Sequence, residues 1–191
     1  MLDRLYRFVG RLVKWPVVVV LFIAFVLLML GFRARSNRLG SNPPMLDVRY
    51  WYTPTDVKAL FDKLGADGRG LYALSEVTLD LAFPFVYGGI LLILIHRLFG
   101  PKAARLLLLI PLLGMGADLL ENAGIATMAA TYTGDAPKLA SVVTVFSLIK
   151  GVLIRVALVV VLIGGVRALV LRHTGEDRQE DEVWDVKTAP K

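Results

Sequence analysis

Cysteine is absent from the 191 residues, and histidine occurs only twice. Without cysteine there is no thiol chemistry and no disulfide-stapled fold. Charged residues are sparse at 20%, and the sequence holds no Gly-rich phosphate loop, nucleophile elbow or zinc-protease motif. No internal repeat suggests a transporter built from duplicated halves. What the chain has in excess is apolar: 56% of its residues are hydrophobic, and the mean hydropathy is +0.63. Gathered into separate blocks, that excess excludes disorder, a coiled coil and an ordinary soluble domain. The formal net charge of +6 comes from Lys and Arg beside the apolar blocks. That placement fits contact with anionic membrane lipid better than with nucleic acid, which is not expected as a partner.

A hydrocarbon core of about 30 Å takes roughly 20 apolar residues in a helix. Four runs of that kind occur. Trp15 to Phe32 carries no charge, Val77 to Ile95 carries Asp80, Leu106 to Met128 carries Asp118 and Glu121, and Val142 to Val166 carries Lys150 and Arg155. They predict an all-α fold, a polytopic membrane four-helix bundle with spans at 15–32, 76–97, 105–128 and 141–170. Ahead of the first span, Arg4, Arg7, Arg11 and Lys14 oppose Leu2, Leu5, Val9, Leu12 and Val13, which predicts an interfacial amphipathic helix over 1–14. Gly31-Phe32-Arg33-Ala34 is a poor small-residue cleavage site, so the first span reads as an uncleaved anchor.

The 33–75 segment between the first two spans has internal signals of its own. Ser41-Asn42-Pro43-Pro44 predicts an extended loop. Thr53-Pro54-Thr55-Asp56 has the form of a helix start: an N-cap hydroxyl, proline at the first helical position and a carboxylate facing the positive helix end. Val57, Leu60, Phe61 and Leu64 form one stripe that Gly65 ends, giving a short outer amphipathic helix at about 54–64. Asp67-Gly68-Arg69-Gly70 then turns the chain into the second span. The last segment, 174–191, is acidic and aperiodic around a lone Trp184, and predicts a disordered cytoplasmic tail. Arg97, Lys102 and Arg105 between spans two and three place both termini in the cytoplasm of a plasma-membrane protein. Arg33, Arg35 and Arg38 argue the other way.

Ionisable groups in hydrocarbon cost about 2.5–3.5 kcal/mol each on insertion, so they turn inward to partners. Asp118, Glu121 and Asn122 share one face of span three, and Glu76, Asp80, Pro84 and Tyr87 follow the same spacing along span two. At 1.5 Å per residue, Glu121 and Lys150 are level, at roughly 10 and 12 Å from the outer span ends, with Asp118 at about 15 Å and Arg155 at about 20 Å. Lys150 with Glu121 and Arg155 with Asp118 are the expected pairs, the second a structural ion pair, leaving Asp80 and Glu76 toward outside water. Lys150 and Arg155 stand about 140° apart on their helix, so either span four is central in the bundle or one of the two snorkels to an interface, and Lys150 has the stem for it. Asp80, Tyr87, Asp118, Glu121, Asn122 and Lys150 are the candidate polar pocket. Neither His96 nor His173 lies near these carboxylates, so no metal and no other cofactor is expected.

Tyr52-Thr53-Pro54, Leu64-Gly65, Gly68-Arg69 and Tyr72 are followed by Asp80, Pro84 and Tyr87, then Asp118-Leu119-Leu120-Glu121-Asn122 and Ser147-Leu148-Ile149-Lys150. Over about residues 45–165 this pattern resembles an uncharacterised family of small bacterial four-span integral membrane proteins. The resemblance implies an architecture and no activity. Three functional readings stand together: a pocket in the outer half of the bundle for a lipid, small solute or proton; an enzyme acting on a lipid by carboxylate acid–base catalysis; and an accessory subunit docking a protein partner. Homo-oligomerisation and catalysis stay open.

Overall fold

The structure, a computed structural model, describes residues 2–40 and 44–188, with side chains described through residue 171. Its backbone is helical: α1 (Leu2–Leu12), α2 (Trp15–Leu39), α3 (Pro54–Glu76), α4 (Leu79–Leu98), α5 (Pro101–Leu107), α6 (Leu109–Ala130) and α7 (Ala140–Thr188), with one 3-10 turn at Leu46–Val48. Four of the described helical segments, Trp15–Leu39, Pro54–Leu98, Pro101–Ala130 and Ala140–Leu171, are long and apolar enough to cross a membrane. They pack together with the short N-terminal helix beside them, as an integral membrane protein.

Helix α1 buries Val9, stacks Tyr6 on His96 at 4.3 Å and pairs Asp3 with Arg105 at 2.8 Å. It is therefore pinned to α4 and α5 while Arg4, Arg7 and Arg11 face outward. His96, at the end of α4, thus meets an aromatic ring. The side chain of His173 lies outside the described ones. The apolar stretch of α2 has no buried residue and is read as lipid-facing, yet the helix runs past Phe32 to Leu39, where Gly40 at φ 82° stops it. That extension carries Arg35 into the bundle, against its sequence reading as a loop charge.

Helix α3 starts as its sequence dictates. Thr53 and Asp56 form a reciprocal capping box, and Val57, Leu60 and Phe61 are buried. Gly65, at φ 65° and ψ −175°, breaks the regular geometry, but the chain resumes helix at once and carries Tyr72, Ser75 and Glu76 inward. The turn expected at 67–70 is thus a second helical segment, set at an angle by one glycine. Together with Tyr52, the first segment covers Ile125, Met128 and Val143 at the ends of α6 and α7. Ordinary hydrophobic burial, about 1.5–3 kcal/mol per large side chain, operates only in such a cap. Between spans, lipid is as apolar as leucine, and close packing must serve instead. Gly124 meets the side chain of Val143 and Gly88 that of Met115, with no room for a Cβ at either.

The loop expectation for residues 41–44 falls largely on 41–43, outside the described residues. The backbone of α7 continues helically through the segment read as a mobile tail, whose side chains are not among the described ones.

Candidate functional site

Beneath the α3 cap, five helices and the 3-10 turn bring charged side chains into one cluster. Arg35, from the extra turns of α2, donates to Asp80 Oδ2 at 2.7 Å, Asp47 Oδ2 at 2.8 Å and Ser75 Oγ at 3.2 Å. Its guanidinium also lies 5.1 Å from the Phe32 ring and 5.7 Å from that of Tyr72. Tyr72 fixes the loop that supplies Asp47: its hydroxyl accepts from the Leu46 amide at 2.9 Å and donates to Asp47 Oδ1 at 3.0 Å. Glu76 is fully buried, 3.9 Å from Arg35, and neither of its oxygens has a hydrogen-bond partner.

Next to this group stands Lys150 of α7. It pairs with Glu121, lies 3.3 Å from Asp118 and donates to the Asp47 carbonyl at 3.0 Å. Its ammonium turns into the bundle, where the sequence favoured snorkelling, because two carboxylates and a carbonyl converge on it. Tyr87 donates to Asp118 Oδ2 at 3.0 Å, and Asn122 donates to the Asp80 carbonyl at 2.7 Å. Ser147 donates its one hydroxyl hydrogen to Glu121 Oε1 at 2.6 Å, and its oxygen lies 3.3 Å from the Tyr52 hydroxyl. Burial pushes the Tyr52 hydroxyl well above the usual phenol range.

The structure corrects one pairing and one placement. Arg155 forms no ion pair with Asp118; it lies on the Tyr50 ring, 3.8 Å from its centroid, and donates to the Gly151 carbonyl at 3.4 Å. Asp80 and Glu76, expected toward outside water, are both buried around Arg35. Sequence reasoning missed Arg35, Asp47 and Ser75. The available signal was the excess of carboxylates over cations inside the spans, which called for another cation at a span end.

Asp47, Glu76 and Asp80 have carboxylate oxygens within 4.8 Å of one another, close enough to share a cation. Arg35 already lies between two of them and supplies that charge. A hard metal ion would have to displace a guanidinium held by three hydrogen bonds.

The cluster borders a cavity of about 630 Å³ between α2 and α7. Asp47, Asp80, Asp118 and Lys150 line its charged end, Arg49, Tyr50 and Arg155 its rim, and Met29, Phe32, Phe83, Ile154 and Leu158 its apolar walls. Tyr87, Glu121 and Asn122, expected in the pocket, stand behind this lining and brace it. The volume is that of a small-molecule site. No protein-family model, curated protein or solved structure matches the chain, so no family is identified and the four-span architecture is what the structure supports.

Proposed function

We propose that the protein binds a membrane lipid, whose polar head enters the cleft between α2 and α7 while its chains follow the apolar walls into the bilayer. The observation that carries this reading is the two-part lining: charged side chains at one end, and Met29, Ile154 and Leu158 at the other, on two helices that cross the membrane. A soluble ligand has no use for such walls, and a proton none for the volume. In this reading the α3 end faces outside and both termini the cytoplasm of the plasma membrane. Of the three arginines whose charge argued against that orientation, Arg35 is neutralised by carboxylates, which leaves Arg33 and Arg38 exposed at that end against exposed Arg97 and Lys102 at the opposite one.

Native mass spectrometry of the full chain extracted in mild detergent tests the reading. We expect a phospholipid to remain bound, and expect it to be lost when Met29→Trp and Leu158→Trp together fill the cleft. Equal retention by the filled variant would count against the cleft as the site.

A further inference from the structure

The cleft is electrically lopsided. Lining its inner end, Asp47, Asp80 and Asp118 face Arg35 and Lys150, with the buried carboxyls of Glu76 and Glu121 behind them, so among the described residues five acids share two cations. At the rim the sign reverses. Arg155 is exposed, without a carboxylate partner among the described residues, and makes a single hydrogen bond, to a backbone carbonyl. Among the described residues, Arg49 is engaged only through Nε, to the Pro44 carbonyl. A guanidinium has five donors, so both arginines keep N–H groups for an anion. Asp80 and Asp118 likewise keep acceptor capacity, since a carboxylate takes about four hydrogen bonds and these have fewer.

We propose that the occupant is a phospholipid whose head bears a primary ammonium, held with the ammonium toward Asp80 and Asp118 and the phosphate against Arg155. This rests on the lipid reading of the cleft and names the class of lipid. The ammonium offers three N–H donors to the inner carboxylates and offsets part of their excess charge. A trimethylated head has the charge without the donors, and a glycerol head has donors without the charge. The Arg155 guanidinium, over the Tyr50 ring and hydrogen-bonded to the Gly151 carbonyl, stands at the mouth where the phosphate of an inward-turned head would lie. From there the chains leave past Ile154 and Leu158.

The test is competition in nanodiscs holding the full chain, with ethanolamine, choline and glycerol phospholipids of identical chains at equal amounts, read by native mass spectrometry. Soluble phosphoethanolamine forms a separate arm. We expect the ethanolamine lipid to be retained about tenfold over either competitor, a difference of about 1.4 kcal/mol. Arg155→Gln, at an exposed position outside the ion pairs, should weaken every phospholipid and keep the preference; Asp118→Asn should erase the preference. The wild-type competition needs no variant to fold. Equal retention of the three lipids overturns this inference and leaves the lipid reading standing. Retention of none overturns both, and soluble phosphoethanolamine binding as tightly as the lipid overturns the lipid as its source.

Discussion

Replacing Arg35 by methionine keeps an apolar stem of similar reach and removes the fork that joins α2 to the rest of the bundle. The wild-type guanidinium makes two short hydrogen bonds to carboxylates and a third to Ser75. Hydrogen bonds to charged groups contribute about 1.5–3 kcal/mol each, which puts the two carboxylate contacts at about 3–6 kcal/mol. An independent route gives a similar figure, because removing one partner of a buried ion pair costs about 3–5 kcal/mol. Asp47 and Asp80 would be left facing each other and Glu76 with no cation between them. For a chain of this size, a loss of that order lowers the melting midpoint by roughly 6–20 °C. The assay is thermal unfolding of the purified chain in one detergent, comparing wild type, Arg35→Met, Arg35→Lys and Arg155→Gln. Arg35→Lys should recover part of the loss, since a point charge cannot bridge two carboxylates as a fork does. Arg155→Gln should stay within about 1 kcal/mol of wild type, as exposed charges do. An Arg35→Met midpoint within about 2 °C of wild type, or an Arg155→Gln loss as large as that of Arg35→Met, would refute the reasoning.

Lys150→Met should cost about 3–5 kcal/mol by stranding Glu121 and Asp118, and adding Glu121→Gln should restore part of it; a double variant no more stable than Lys150→Met in the same assay would contradict the pairing. Gly65→Ala should lose roughly 1–3 kcal/mol, because the Gly65 dihedrals lie in a region open essentially to glycine alone. Gly65→Asn should be no better, since ψ there is far from the left-handed helical value that asparagine tolerates, and full stability in either variant would show the kink to be unstrained. Burial holds the proton on the Tyr52 hydroxyl, so its contribution to stability is fully present below about pH 10 and declines as the pH rises from there, where the unfolded chain ionises first. Tyr52→Phe should leave the ultraviolet titration of the folded chain between pH 9 and about 11 unchanged; loss of one ionising phenol in that range would place Tyr52 in contact with water.

The architecture was legible because a bilayer demands long apolar runs, and such runs are conspicuous. The start of α3 was legible too, since Thr53, Pro54 and Asp56 each satisfy a separate requirement of a helix N-terminus. At the site, the Lys150–Glu121 pairing followed from depth alone. Depth could not foresee Arg155. Rise along a helix fixes height but not azimuth, and the aromatic face that Arg155 meets comes from Tyr50, in a connecting segment without periodicity. Arg35 escaped for a related reason. An arginine just past an apolar run reads as a loop charge unless the helix continues, and what draws it inward is Asp47, Ser75 and Asp80 on three other parts of the chain. The second half of α3 was misread because Gly65, taken as a terminus, is a bend: local turn chemistry was right, but Tyr72, Ser75 and Glu76 had partners waiting in the bundle.

Tyr50 lies at the mouth of the cleft and is half exposed, which makes it the position from which an occupant can be caught in place. Tyr50 is replaced by a photoreactive benzoyl-phenylalanine, cells are illuminated, and the purified chain is weighed by mass spectrometry. The account predicts an adduct with the added mass of an intact phospholipid, suppressed when Leu158→Trp narrows the cleft. No phospholipid adduct, or one formed equally in the Leu158→Trp background, would contradict it.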